Sequence, residues 1–179
     1  MTLAAALAAR RSVRDFAATA ITPAELAQLL WAAQGVSSDR GGRTAPSAGA
    51  LYPLTMYAAV PSGLYRYTAE GSRVAQVLTD DLRARLAKAA LGQDWLAAAS
   101  VVLVITADVG RTAQRYGARA ERYVQLEAGH AAQNLLLQAT ALGLGATPVG
   151  AFDDDQVGRV LQLPARERPL YLVPVGRPR

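Results

Sequence analysis

The segment from Ser100 to Thr106 constrains the fold more than any other part of this chain. It reads Ser-Val-Val-Leu-Val-Ile-Thr, so β-branched residues dominate and no charge interrupts them. A strand with one solvent-exposed face would alternate apolar and polar residues, whereas this run fits a central strand that is buried on both faces. Such a strand needs material packed above and below it, so this segment predicts the centre of a sheet that is covered on both faces.

Other predicted elements surround this strand, and the clearest boundary is Thr22-Pro23-Ala24-Glu25. Thr22 suits the N-cap of a helix, with Pro at the first helical position and Glu at the third. Pro174 predicts that the last strand lies at an edge or reaches beyond its own subunit. No repeat or linker divides residues 1–179, which we expect to form one domain. The remaining predicted helices cover residues 2–11, 80–91, 118–142 and 153–161, and the remaining strands cover 54–60, 64–68 and 170–175.

Composition excludes several kinds of site. The chain has no cysteine and a single histidine, so disulfides, thiolate zinc sites, iron–sulfur clusters and cysteine nucleophiles are excluded and no metal site is expected. The net charge of +5 suits an anionic ligand, although it would also suit nucleic acid. The longest strongly apolar stretch, residues 97–107, is too short to span a bilayer. We expect a cytoplasmic protein that binds neither membrane nor nucleic acid.

Arg10-Arg11-Ser12-Val13-Arg14 is the first segment that suits a ligand. Its three guanidinium groups and one hydroxyl follow the apolar run from Leu3 to Ala9. A guanidinium carries a fixed charge and a planar set of donors that matches phosphate. Taken alone, such a segment is more often a solvated basic helix end, where arginine complements the helix dipole.

Two loops rich in small residues and a basic tail are the other candidates. Residues 44–53 and 145–152 contain glycine and alanine, which let backbone amides approach a flat or anionic ligand closely. An ordinary tight loop and a strand entering the core are the alternatives. The tail, residues 176–179, reads Gly-Arg-Pro-Arg and could be merely solvated.

Two common nucleotide-binding motifs are absent, and the remaining ring side chains look structural. The chain has no P-loop, and Gly143-Leu144-Gly145 follows a helix and lacks the third glycine of a dinucleotide fold. We expect His130 to be a hydrogen-bonded core or interface residue. Trp31 and Trp95 lie on apolar helical faces, where we expect core packing.

Together these segments resemble the FMN-dependent nitroreductase family, and within it the branch of SagB-type oxidases related to azole-forming dehydrogenases. The resemblance covers nearly the whole chain. No single motif is specific to the family, but all of them in this order are hard to obtain by chance. These are Arg-Arg-Ser-Val-Arg at 10–14, Pro-Ser-Ala-Gly-Ala-Leu-Tyr-Pro at 46–53, Gly-Leu-Tyr-Arg-Tyr at 63–67, Arg-Tyr-Gly-Ala-Arg at 115–119, Gly-His-Ala-Ala-Gln-Asn at 129–134, Gly-Leu-Gly at 143–145 and Pro-Leu-Tyr-Leu at 169–172.

The resemblance implies an α+β fold with a central mixed or antiparallel sheet flanked by helices. It also implies an intertwined homodimer with noncovalent FMN at the subunit interface. Arg10 and Ser12 would hold the phosphate and ribityl chain, with Arg11 beside them, and Arg14 would face the pyrimidine end of the flavin. Arg177 would be a further phosphate ligand. The apolar side of the helix at 118–142 would add surface that needs a partner. Loop residues Pro46, Ser47, Ala48 and Gly49 would come from the partner subunit, and Pro148, Val149, Gly150 and Ala151 would lie along the ring.

Two departures from the family pattern bear on the reaction. Ala50 stands where many nitroreductases carry Asn, and Arg115-Tyr116 stands where azoline-oxidising relatives carry Lys-Tyr. Arg cannot serve as a base near neutral pH, because its guanidinium stays protonated. Tyr116 could still relay a proton, and Arg115 could attract an anionic substrate or a nicotinamide phosphate.

The function that we expect is NAD(P)H-dependent reduction of quinone or nitro acceptors by a ping-pong mechanism, with Arg115 and Tyr116 as the candidate catalytic residues. One alternative is a SagB-type dehydrogenase, like the azoline or peptide oxidases, that passes electrons to oxygen. The other is a non-catalytic module that binds anions or nucleic acid.

Overall fold

The computed structural model describes all residues from Met1 to Arg179. Its six strands form one sheet in the order β3-β2-β1-β4-β6-β5, and every neighbouring pair is antiparallel. The strands are β1 (Leu54–Val60), β2 (Gly63–Thr68), β3 (Arg73–Leu78), β4 (Val101–Ala107), β5 (Gly145–Ala146) and β6 (Arg168–Gly176). The helices are α1 (Leu3–Ala9), α2 (Pro23–Gln34), α3 (Arg83–Ala89), α4 (Val109–Tyr116), α5 (Ala120–Ala141) and α6 (Asp154–Leu161).

β4 is the central strand that the sequence predicts. All of its residues are buried, and it pairs with β1 on one side and β6 on the other. Successive side chains of a strand point to opposite faces. Leu103 and Ile105 therefore join the core formed with α2 and α5, whereas Val102 and Val104 join the core formed with α3 and α6. The α+β class with helices on both faces of the sheet is confirmed.

The start of α2 is also confirmed. The Thr22 hydroxyl accepts a hydrogen bond from the Glu25 amide at 3.2 Å, and the Glu25 carboxylate accepts one from the Thr22 amide at 2.7 Å. This reciprocal pair is a capping box, with Pro23 at the first helical position. The helix ends before Gly35, as its sequence indicates.

The apolar surface that lacks a partner lies on α1 rather than on α5. The large apolar residues of α5 mostly pack inside this chain, and Leu126 is its one exposed large hydrophobic residue. The expectation that α5 exposes a broad apolar side is therefore wrong. Leu3 and Leu7 of α1 are 66% and 54% exposed, and Trp31, expected in the core, is 37% exposed.

The last strand lies one place inside the sheet edge. β6 pairs with β4 along its length, and the two residues of β5 cover only its end. Pro174 is opposite Val102 of β4, so the strand does not leave its own chain. His130, expected as a core or interface residue, is exposed on α5 in this chain, so it is not a core residue. No helix combines the length and the apolar character needed to cross a membrane.

Candidate active site

The arginine-rich segment leaves α1 and runs parallel to β5. The Val13 amide donates to the Ala146 carbonyl at 3.1 Å, and the Thr147 hydroxyl donates to the Val13 carbonyl at 2.8 Å. The two backbones approach closely because residue 145 is glycine: a Cβ there would lie 2.6 Å from a Val13 methyl group. Two segments that the sequence singles out separately, residues 10–14 and 145–152, therefore form one surface.

The arginines of this segment differ in their availability to a ligand. Arg10 and Arg14 have no carboxylate within 4.0 Å, and the Arg14 guanidinium lies 5.6 Å from the Trp95 ring centroid. Arg11 instead donates to the Ala8 and Arg10 carbonyls at 2.9 and 2.8 Å. Arg11 thus caps the end of α1, as the alternative reading of a basic helix end expects.

The segment from Pro148 to Ala151 presents unused backbone donors beside these arginines. Val149 is buried and forms a bridge with Leu172, whereas Gly150 and Ala151 are exposed and their amides donate no backbone hydrogen bond. Gln93 donates to the Ala151 carbonyl at 3.1 Å, two residues before the Trp95 ring that lies under Arg14. Charged groups and free amides therefore adjoin one another, which suits an anionic, partly flat ligand.

Arg177 has a carboxylate partner. One of its terminal nitrogens donates to both oxygens of Glu25, at 2.8 and 3.0 Å, and thereby ties residue 177 to the capping box of α2. The pKa of Glu25 is lowered, first by the hydrogen bond from the Thr22 amide and also by Arg177. The other guanidinium nitrogens of Arg177 make no hydrogen bond, so it keeps donors that a phosphate could use.

The loop containing Pro46 to Gly49 lies against Arg115 and Tyr116. Gly49 has a φ of +61°, and a Cβ there would lie 2.8 Å from the Tyr116 hydroxyl and 3.0 Å from Arg115. The Arg115 guanidinium lies 5.5 Å from the Tyr116 ring centroid and has no carboxylate partner. The structure therefore brings the candidate catalytic pair together with the Pro46–Gly49 loop within one chain.

These two groups of site residues lie at opposite ends of the sheet. Ser12 is bridged to Ala146, which pairs with Val175 and through it with Val101, the first residue of β4. The 44–53 loop leads into Leu54, which pairs with Ala107 at the other end of β4. A strand of this length separates its two ends by roughly 20 Å.

Helix α5 gives the same separation independently. Tyr116 packs edge-on against Tyr123 in the first turns of α5, with ring centroids 5.1 Å apart. Gly145 follows the other end of this 22-residue helix. At a rise of 1.5 Å per residue, α5 is about 30 Å long. The Arg10 group and the Gly49 group are therefore two separate surfaces of one chain.

A buried polar cluster under the 44–53 loop is not predicted from the sequence. Glu127 on α5 is 2% exposed, and one of its carboxylate oxygens has no hydrogen-bond partner. Burial raises the pKa of Glu127 to about 7, against the opposing effects of the Ser47 hydroxyl, Arg43 and Arg111. Thr112 of α4 is also buried, with an unpartnered hydroxyl. The available signal was the position of Glu127, three residues after Val124 and four before Ala131 on the buried stripe of α5.

Comparison with known proteins assigns this chain to a family. The model of the nitroreductase family matches residues 7–177. The chain belongs to the nitroreductase family. A nitroreductase homologue from Methanocaldococcus jannaschii is 45% identical to it, over 94% of this chain and 87% of the homologue. This nitroreductase-family protein is accordingly an oxidoreductase, and the family resemblance read from its motifs is confirmed.

Solved structures show the same architecture. A nitroreductase structure from Ralstonia eutropha JMP134 matches with a TM-score of 0.91 at 32% identity, and covers 100% of this chain and 84% of that chain. The NADPH:FMN oxidoreductase of Vibrio harveyi, complexed with NAD+, matches with a TM-score of 0.74 at 23% identity. The second match covers 98% of the nitroreductase-family chain and 68% of the Vibrio chain, and it shows the shared fold.

Proposed function

We propose that this protein is a homodimeric FMN-dependent oxidoreductase that takes electrons from NAD(P)H and passes them to quinone or nitro acceptors in a ping-pong cycle. The observation that carries the proposal is the separation of the two site halves to opposite ends of β4. One half offers unpaired arginines and free amides, and the other offers Arg115, Tyr116 and the Pro46–Gly49 loop. A symmetric pair of chains brings one half from each chain to a single flavin.

The residues at the Arg10 end fit FMN. Arg10 and Ser12 supply charged and neutral donors for the phosphate and ribityl chain, with Arg177 offering its unused nitrogens and Arg11 adding charge. The bridge between Val149 and Leu172 holds the segment that starts at Pro148, and the exposed amides of Gly150 and Ala151 in this segment would lie along the ring. The Vibrio harveyi structure with this fold is an FMN oxidoreductase, which supports the choice of flavin.

The chain's own residues favour reduction of an acceptor. FMN, when bound, supplies the ring that accepts and donates hydride. Arg14 would face the pyrimidine end of the flavin, and its fixed positive charge would favour the reduced cofactor without reorganisation during the reaction. Tyr116 of the partner subunit would provide a hydroxyl that can donate a proton. The small residues Ala48 and Gly49 would leave room for nicotinamide and acceptor to bind in turn.

Arg115 argues against azoline oxidation. Removing a ring proton needs a neutral base, and the guanidinium is protonated at any physiological pH. Oxidation of such a substrate with oxygen as acceptor is therefore an outcome of the test rather than the function that we propose. Membership of an oxidoreductase family favours an enzyme over a non-catalytic anion-binding module.

Two measurements test this function. Protein supplemented with FMN should show flavin absorption that survives gel filtration. Anaerobic stopped-flow mixing with NADH or NADPH should then bleach the flavin band, and a quinone should restore it. A colourless protein that ignores added FMN would refute the cofactor assignment. Flavin that neither nicotinamide bleaches, together with turnover of an azoline, would show that the reaction runs in the oxidase direction.

A further inference from the structure

Four arginines surround the corner between α4 and α5, next to the Pro46–Gly49 loop. All four are exposed, and none has a carboxylate within 4.0 Å. We name this group the corner arginines; its members are Arg111, Arg115, Arg119 and Arg122. Arg111 and Arg115 are four residues apart on α4, and Arg119 and Arg122 are three residues apart at the start of α5. Residues at these spacings share one face of a helix.

The corner holds like charges that form no ion pair within their own chain, although the charge of Arg111 also acts on the Glu70 and Glu127 carboxylates. Between Val109 and Tyr123 the one acidic residue is Glu121, and its carboxylate is already paired with Arg168. Asp108, just before α4, is paired with Arg166. Like charges at this spacing destabilise a helix. Some exposed arginines elsewhere are paired, as Arg85 is with Asp80 at 3.4 Å, and others, such as Arg73, are not. The corner differs in holding four unpaired arginines between residues 111 and 122.

The corner also carries a flat aromatic surface. Arg115 lies over the Tyr116 ring, and Tyr116 packs edge-on against Tyr123. Both tyrosines are half-buried, which fixes their rings. Charged groups around fixed rings suit a ligand that has an anionic group attached to a flat conjugated body. Arg115 touches the loop that, in the proposed function, lies over the partner's flavin.

We propose that the corner arginines select a substrate that carries a phosphate or another strong anionic group. This inference rests on the proposed function, because it places that group beside the flavin-facing loop. The anionic group has two possible sources: the 2′-phosphate of NADPH, or a charged group on the electron acceptor. In both cases the arginines attract the substrate and hold its charged end while the flat end reaches the ring.

The test uses an Arg119→Gln, Arg122→Gln double variant of the flavin-loaded protein. Arg73→Gln is the matched control, because Arg73 is exposed and unpaired on the edge strand β3. In the first comparison, KM is measured for the two electron donors NADPH and NADH, with the neutral quinone menadione as the acceptor. In the second comparison, KM is measured for two electron acceptors, a sulfonated naphthoquinone and menadione, with the better of the two donors used throughout. Each arginine that contacts the anion should change KM by about two- to fivefold, the effect of exposed ion pairs.

In the double variant we expect KM to rise by about tenfold for either NADPH or the sulfonated naphthoquinone, the more anionic compound of each comparison, with kcat nearly unchanged. A rise confined to NADPH identifies the nicotinamide phosphate as the anionic group, and one confined to the sulfonated quinone identifies the acceptor. Added salt should reproduce the effect in wild type and not in the variant. Equal changes for charged and neutral partners, or no change beyond that of Arg73→Gln, would overturn the inference.

Calorimetric titration separates failure of this inference from failure of the proposed function. Titration of the wild-type and variant proteins with NADP+ and with NAD+ needs no turnover. A protein that binds NADP+ more tightly through the corner arginines but reduces no acceptor would contradict the proposed function alone. If neither turnover with the sulfonated quinone nor NADP+ binding depends on the corner arginines, the inference is wrong whatever reaction the enzyme catalyses.

Discussion

The Thr147 hydroxyl donates a hydrogen bond to the Val13 carbonyl, and this contact joins the arginine-rich segment to the segment that follows β5. The two residues are 134 positions apart in sequence. Thr147 is 2% exposed, so no water can replace the bond easily if the hydroxyl is lost. The geometry of the proposed flavin phosphate site therefore depends on a buried side chain that itself carries no charge.

Replacing this hydroxyl should weaken both the fold and flavin binding. Thr147→Val keeps the shape but leaves the Val13 carbonyl unsatisfied, which should cost about 1–3 kcal/mol of unfolding free energy. Thr147→Ser, which keeps the hydroxyl, should retain most of the flavin affinity. Thermal unfolding with and without FMN measures both effects. Equal FMN affinity in Thr147→Val and wild type would show that the contact does not shape the site.

Arg10 and Arg177 should contribute unequally to FMN binding. Arg10→Ala removes an unpaired guanidinium and should cost roughly 1.5–3 kcal/mol of binding, the value of a charge-assisted hydrogen bond. Arg177→Ala should cost less, because one of its nitrogens already serves Glu25. Glu25→Gln is the informative partner variant, since weaker pairing frees Arg177 and should tighten FMN binding. Fluorescence titration gives the three dissociation constants, and a larger loss in Arg177→Ala would reverse the assignment.

Glu127 should make stability depend on pH. Its pKa rises from the ordinary 4.5 to about 7 in the folded chain, so the folded state binds more protons than the unfolded state between these values. Stability should therefore fall as pH rises from about 4.5 to about 7, and stay lower above that range.

Glu127→Gln removes this dependence, because the amide mimics the protonated acid. Above pH 7 the variant should be more stable than wild type by up to about 3 kcal/mol, and near pH 4 the difference should vanish. Urea unfolding across this pH range measures the effect. Asp39→Asn, which alters an exposed loop carboxylate, is the control. Parallel pH profiles for wild type and Glu127→Gln would contradict the account.

The exposed apolar side of α1 should be covered in the dimer. Leu7→Glu places a charge in this surface, and we expect it to weaken association and flavin retention together, since the proposed site needs both chains. Leu91→Glu, on an exposed turn after α3, is the matched control. Light scattering should give twice the 18.8 kDa chain mass for wild type. A wild-type monomer that retains flavin would contradict the dimer.

Local signals predicted much of the fold. The β-branched run of β4 and the capping box of α2 needed no tertiary information, and both lie where expected. β3 was not predicted because it is an edge strand with nearly every residue exposed. α4 was not predicted because Thr112 is its one buried residue, so its apolar pattern is weak. β5 is only two residues long and has no recognisable pattern of its own.

The site could be predicted in parts but not in its arrangement. Sequence motifs identified the segments around Arg10, Gly49, Arg115 and Gly150 one at a time. Their grouping depends on the register of β4 with its neighbours and on the length of α5, which no local pattern specifies. Glu127 was missed because a single glutamate in a helix is expected to be solvent-exposed, and its burial becomes clear only when the packing of that face of α5 is known.

In the function that we propose, each flavin is held by Arg10 of one chain and the Pro46–Gly49 loop of the other. Subunit mixing tests it directly with Arg10→Ala and Gly49→Leu, the second of which places a side chain at a position with a φ of +61°. Each variant alone should bind little FMN, and circular dichroism should confirm that both are folded. Heterodimers purified through two different affinity tags combine both defects in one site and leave the other intact. The flavin content of these heterodimers, read from visible absorption, should recover to half the wild-type value. Heterodimers that stay as colourless as the parent variants would show that each site is built within a single chain.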